Sequence, residues 1–295
     1  MKPLYIPPDY YHVDDLLSDE HKIVRSAIRD WVDRAVKPVI EDAAQKHEFP
    51  RQWIRELGAL GAFGPFIPEK YGGAGLDHIS YGLIMTELER GDSAVRSTAS
   101  VQTSLVMYPI YTFGTEDQRR KYLPKLASGE MIGAFGLTEP NHGSDPGRME
   151  TRFTDEGDHY LLNGAKMWIT NSSIADVAVV FAKNEKGFVQ GLVVEKGMEG
   201  FTAPETRGKW SLRASVTGEL VFDNVKVPKE NLLPEAKGLK AALMCLNSAR
   251  YGIAWGAVGA AMDDKIVWNE AENFPLADGN PYIGFDAVLQ GVFAR

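Results

Sequence analysis

Along roughly the first 130 residues, apolar side chains recur every three or four positions, the spacing of one helix face. Ser18 stands where it can cap a helix whose stripe is Val24, Ile28, Trp31 and Ala35, ending at Pro38. A short helix follows Pro50 with Trp53, Ile54, Leu57 and Leu60 on one side. The Gly/Pro-rich run "GAFGPFIPEKYGGAGL" reads as a connection. Further helices are predicted over 77–90, with Ile84 and Leu88 inward, and from Ser93 to Tyr111. Thr115 and Gln118 form a capping-box signature ahead of "EDQRRKYLPKLASG".

From residue 132 the period changes to two. "HYLLNGAKMWIT", "VAVVFAK", "FVQGLVVEK", "FTAPETRGKWSL" and "TGELVFDNVKVP" are short runs separated by turn residues. Such a series predicts a β-sandwich or barrel. Helical spacing returns near Gly238, where Leu243, Leu246, Ile253 and Ala257 define one face. The fold class is therefore α+β and multidomain: an N-terminal all-α domain over 1–131, a middle β-domain over 132–234, and the first helix of a second α region over 235–262. Residues 263–295 contain Pro275, Gly279, Pro281 and Gly284 and no sustained period, so they read as an atypical tail.

Composition narrows the function classes. The chain is acidic overall, with a net charge of −8, and has no basic stripe with interleaved aromatics, so nucleic acid is not an expected partner. No run approaches the roughly 20 apolar residues of a membrane span. The N-terminus lacks the basic segment of a secretion signal, so a cytoplasmic location is expected. The one cysteine, Cys245, excludes a disulfide framework and reads as core filler in "ALMCLNSARYG". No metal-ligand spacing is evident.

One stretch fits no core. "FGLTEPNHGSD", residues 135–145, joins the helical and strand-like regions. Its glycines allow close approach of backbone N–H groups to a ligand, and Thr138 and Ser144 add hydroxyls. It is neither a Walker loop nor a dinucleotide fingerprint. A ligand cradle and an ordinary connection both remain open on these residues alone.

The segments "GAFGLTEPNHGSDP" and "WITNSSIADVAVV", in that order and at that separation, resemble the two flavin signatures of the acyl-CoA dehydrogenase family. The resemblance covers roughly residues 15–262. "VRSTASVQTSLVMYPIYTFGTEDQRRKYLP" and "CLNSARYGIAWGAVGA" are most similar to its glutaryl-CoA dehydrogenase branch. What this implies is an FAD-dependent oxidation of a CoA thioester between its α and β carbons. In the glutaryl branch, decarboxylation to crotonyl-CoA follows. It also implies electron-transfer flavoprotein as the acceptor and a homotetramer as the family's assembly.

By the same resemblance, Phe135, Gly136, Leu137 and Thr138 would line the flavin ring, and Gly143 and Ser144 would meet its pyrophosphate. Trp168, Ile169 and Thr170 would pack along the ring, with the Thr170 hydroxyl near N5. Arg96 and Ser97 would grip the distal carboxylate of a glutaryl group; the alternative for Arg96 is an ion pair with Glu87 or Glu89. Ser144, Leu243, Leu246, Asn247 and Arg250 would meet the CoA ester, a helix-face salt bridge being the other reading of Arg250. Glu139 and Asp145 are expected to hold loop backbone rather than to act on substrate.

The base that removes the α proton is where the resemblance fails. The family places a glutamate in a late "YEGT"-like motif, which is absent, or just before the CoA-binding arginine, where this chain has Ala249. The resemblance also stops after Met262. The expectation is a chain whose C-terminal bundle is truncated or replaced, with no catalytic glutamate, impaired activity and doubtful tetramer formation.

Overall fold

The computed structural model describes residues 12–262. The expectations placed on residues 1–11 and on the tail after Met262 lie outside the described residues.

The helical region begins as its caps dictate. Ser18 accepts from the His21 N–H and the His21 ring accepts in return, closing a box ahead of α1 (Asp19–Trp31). Helices α2 (Ile40–Lys46), α3 (Gln52–Ala59) and α4 (His78–Gly91) follow. The single predicted helix from Ser93 is three pieces: α5 (Ser93–Ser100), a π-helical stretch (Val101–Met107) and α6 (Tyr108–Phe113). Thr115 and Gln118 form the expected reciprocal cap of α7 (Glu116–Ala127). The apolar faces of these elements, including Trp31, Trp53, Leu57, Tyr81, Leu88 and Ile110, merge into one buried core.

The middle region is one eight-stranded sheet. Its strands are β1 (Gly133–Gly136), β2 (Arg152–Asp155), β3 (His159–Thr170), β4 (Val177–Lys183), β5 (Val189–Glu195), β6 (Phe201–Thr202), β7 (Thr217–Pro228) and β8 (Leu232–Lys237). The order is β6-β7-β3-β2-β4-β5-β8, with β1 pairing in parallel with β4. Strand β4 is buried throughout because it feeds two cores. Ala178, Val180 and Ala182 join Leu162, Leu192, Leu220 and Val225 in the sheet's own core. Val177, Val179 and Phe181 face the helical core.

One expectation changes. "FTAPETRGKWSL" is mostly irregular, with only Phe201 and Thr202 in a strand. Gly208 takes a left-handed φ of 74°, and Lys209 bonds the Ser215 carbonyl, so the segment closes as a loop. The last helix, α8 (Gly238–Ala261), packs through its small residues. Leu243 and Ile253 stay 39% and 38% exposed, whereas Ala241, Ala242, Cys245, Ala249, Gly252, Gly256 and Gly259 are buried. The reason is proximity to α4: a Cβ on Gly252 would lie 2.5 Å from the Tyr81 hydroxyl, and one on Gly259 2.1 Å from the Thr86 carbonyl oxygen. Among the described residues no helix is long and apolar enough to cross a membrane.

Candidate functional site

A crevice of about 380 Å³ opens where the sheet, the π-helical stretch and α8 meet. Val101 and Leu105 border it from the helical region; such one-turn π segments often sit at functional sites. Phe135, Leu137, Thr138, Gly143, Ser144 and Pro146 come from β1 and the loop after it. Trp168, Ile169 and Thr170 come from the end of β3, and Leu243, Leu246 and Arg250 from α8.

Strand β3 delivers its residues through a bulge. Lys166 pairs with Leu220 and Ile169 with Gly218, so two residues of β3 face one of β7. Within that bulge Trp168 takes φ of 61°, rare for a bulky residue, and turns outward to 58% exposure. Trp168 is thus not part of the sheet's core. The indole stands instead as one wall of the crevice.

The loop after β1 is fixed from below. Glu139 is buried and accepts the N–H groups of Glu150 at 2.6 Å and Thr151 at 3.0 Å. It also takes the Lys166 ammonium at 2.7 Å, and the same ammonium donates to the Leu137 carbonyl at 3.2 Å. Burial pushes the Glu139 carboxyl upward, but the Glu150 N–H, Lys166 and Thr151 together hold it below its ordinary range. Burial lowers the Lys166 amine to about 8, with Glu139 opposing the shift. The two groups form a buried ion pair. Glu139 has the backbone-holding role expected of it. Lys166 was missed by sequence reasoning, although a lysine within the alternating β3 pattern was a signal.

Four expected site residues stand outside the crevice lining. Gly136 points the other way along β1: a Cβ there would meet Lys166 Cγ at 3.0 Å and Leu220 Cδ1 at 3.2 Å. Alternation along the strand requires this, since Phe135 and Leu137 take the crevice side. Arg96 and Ser97 lie on α5 apart from the lining, and Arg96 donates to buried Glu89, which Ser93 also meets. Of the two candidate partners it is Glu89 that pairs; Glu87 is held by Arg29 and Arg90. Asn247 is drawn to Arg250, which donates to its side-chain oxygen at 2.9 Å. Arg250 makes no ion pair among the described residues, so the helix-face salt bridge is not formed there.

The remaining groups present free chemistry. Thr138, Ser144 and Thr170 are hydroxyl-bearing residues of the lining, and a Cβ on Gly143 would meet nothing within 4 Å. No Asp or Glu stands among the lining residues. Ala249, the position where a base was sought, is buried on α8.

Residues 18–130 match the model of the acyl-CoA dehydrogenase N-terminal domain and residues 134–225 that of its middle domain. The chain belongs to the acyl-CoA dehydrogenase family. A short-chain-specific acyl-CoA dehydrogenase of Clostridium acetobutylicum is 40% identical over 268 residues, covering 89% of this chain and 70% of the relative. An acyl-CoA dehydrogenase of Bacillus subtilis is 41% identical, with 83% and 66% covered. Among solved structures, a glutaryl-CoA dehydrogenase from Mycobacterium smegmatis in complex with FADH2 superposes with a TM-score of 0.85 at 43% identity, covering 95% of this chain and 72% of that one. The chain thus spans roughly two thirds to three quarters of the length of these proteins.

Proposed function

We propose that the crevice binds FAD and that α8 presents a CoA thioester to it, in the manner of a glutaryl-CoA dehydrogenase. The observation that carries this is the convergence on one crevice of both flavin-signature segments, with Trp168 forced outward by a bulge to become its wall. The donor set suits the ligand. Backbone and hydroxyl donors at Thr138 and Ser144 favour negative charge, open space at Gly143 admits a pyrophosphate, and Trp168 offers an aromatic face to a flat ring. Bound FAD would supply a two-electron acceptor for hydride.

The chain's own residues then have separable tasks. Phe135, Leu137 and Ile169 exclude water from one side of the crevice, and Leu243 and Leu246 supply apolar contact on the other. Arg250 is the lining's cation, placed for a phosphate of the CoA moiety. Arg96 would recognise the distal carboxylate, with Glu89 holding its guanidinium. The glutaryl assignment draws support from solved glutaryl-CoA dehydrogenases at 43% and 47% identity, while short-chain-specific relatives stand at 40% and 36%. Electron-transfer flavoprotein is the proposed acceptor, reached past the exposed indole of Trp168.

The carboxylate-free lining favours a second reading, in which these residues bind flavin and CoA ester without turning them over. Proton removal from the α carbon needs a base within hydrogen-bond reach, and the described lining supplies none. One experiment separates the readings. Purified protein loaded with FAD is expected to show flavin absorbance near 450 nm and to bind glutaryl-CoA without bleaching. Bleaching by glutaryl-CoA would establish a working enzyme; a colourless protein that takes up no FAD would remove the flavin assignment.

A further inference from the structure

Beneath the crevice Lys166 is fully buried against Glu139, and its placement is unusual for a strut. Glu139 also accepts two backbone N–H groups, so part of its hydrogen-bonding capacity is met without the ammonium. The Leu137 carbonyl could equally accept from a neutral donor. Burying an ammonium and a carboxylate commonly costs more than a neutral pair of the same volume. Something must repay the charge.

The geometry of the peptide indicates what. Lys166 Nζ donates to the Leu137 oxygen at 3.2 Å, and that carbonyl shares one planar unit with the Thr138 N–H. No peptide bond among the described residues is cis, so carbonyl and N–H of this unit point in opposite directions. Lys166 lies on the sheet-core side, against Gly136. Leu137 and Thr138 both border the crevice. The Thr138 N–H therefore points to the crevice, and it has no hydrogen-bond partner among the described residues. A cation on the carbonyl of a peptide draws electron density from its N–H, and in a low-dielectric interior this strengthens the bond that N–H can donate.

We propose that Lys166 is a positioning and tuning residue: it polarises the Leu137–Thr138 peptide so that the Thr138 N–H stabilises the extra negative charge of a reduced flavin over the oxidised form. Glu139 holds the ammonium at that carbonyl and anchors the returning chain at Glu150 and Thr151. The inference rests on the flavin reading of the crevice.

The test is equilibrium binding of oxidised and of reduced FAD, with the flavin midpoint potential, in the full chain at pH 6.5. Lys166→Met alone strands a buried Glu139 and risks misfolding. The principal variant is therefore Lys166→Met combined with Glu139→Gln, which removes both charges at nearly constant volume. Its preference for the reduced form is expected to fall about tenfold, which is about 30 mV downward for a two-electron couple. Affinity for oxidised FAD should change by less than that factor. Equal weakening of both forms, or binding of neither where the wild type binds both, makes Lys166 a structural strut and overturns the assignment. A wild-type chain that takes up no FAD would instead remove the reading of the crevice, and this assignment with it.

Discussion

Arg96 donates through Nε to Glu89, one helix earlier, and Gly256 of α8 closes over the pair. A Cβ at 256 would lie 3.0 Å from the Glu89 carboxylate and 3.4 Å from Arg96 Cδ and Nε. The guanidinium is therefore held by a carboxylate on one side and confined by backbone on another. This is an arrangement for a cation whose position matters.

Replacing Arg96 should separate its two roles. Arg96→Ala leaves Glu89 buried without its cation and is expected to cost about 3 kcal/mol, read by denaturant unfolding. In ligand titrations of the flavin-loaded chain, glutaryl-CoA affinity should fall at least tenfold further than butyryl-CoA affinity. Parallel losses for the two esters would discard the carboxylate clamp while leaving the structural pair intact. Gly256→Ala should give the same ester discrimination in weaker form, because it displaces Arg96 without deleting it.

Trp168 should show the opposite balance of stability and binding. Its left-handed φ of 61° costs a bulky residue about 1 kcal/mol or more, and its exposure returns little burial. Trp168→Asn, which tolerates that backbone, is expected to leave the melting temperature unchanged or slightly raised. FAD retention should drop tenfold or more, followed by absorbance after desalting. A variant that melts several degrees lower would show the indole to be a packing residue after all.

Much of this arrangement could be read from residue order, and the exceptions have definite causes. The caps at Ser18 and Thr115 are local reciprocal bonds, which four-residue patterns encode directly. The crevice segments were legible because Gly143, Ser144 and Trp168 sit in recognisable runs. That Gly136 stands outside the crevice lining was not legible, because a motif names neighbours without saying which face of β1 each takes. The period of α8 was legible as the face of Leu243 and Ile253, but the small-residue face that packs was not, because close approach to α4 demands glycine and alanine there. Lys166 escaped notice because its partners, Leu137 and Glu139, lie 29 and 27 residues away. Strands β1, β2 and β8 are four to six residues long and lack clean alternation, so only pairing across the sheet defines them.

Acid should loosen the loop through Glu139. Its folded carboxyl titrates below the ordinary 4.5, so the unfolded chain binds more protons as pH falls through that window. The contribution of Glu139 is therefore complete above 4.5 and lost as pH drops below it. Urea unfolding between pH 6 and 3 should show a steeper decline for the wild type than for the chain carrying Lys166→Met and Glu139→Gln together. Superimposable profiles would assign the acid sensitivity to other carboxylates.

Gln102 is the residue whose loss should damage fold and crevice together. Its side chain is fully buried in the π-helical stretch and makes three bonds to backbone. Nε2 donates to the carbonyls of Leu126 and Met131, each at 2.8 Å, and Oε1 accepts the Gly133 N–H at 2.8 Å. It thus ties the end of α7 and the following turn to the first residue of β1, two positions before Phe135. Gln102→Leu has similar volume but strands all three backbone groups, and each buried unsatisfied group costs about 1–3 kcal/mol. The expected total, after partial relaxation, is about 3 kcal/mol in denaturant unfolding. Because β1 carries Phe135 and leads into Leu137 and Thr138, FAD affinity should weaken in the same variant even under conditions where it remains folded. A stability loss below about 1 kcal/mol would mean that water replaces the amide, and β1 would then owe its position to its pairing with β4 and to the Asn171 side chain, which donates to the Gly133 carbonyl.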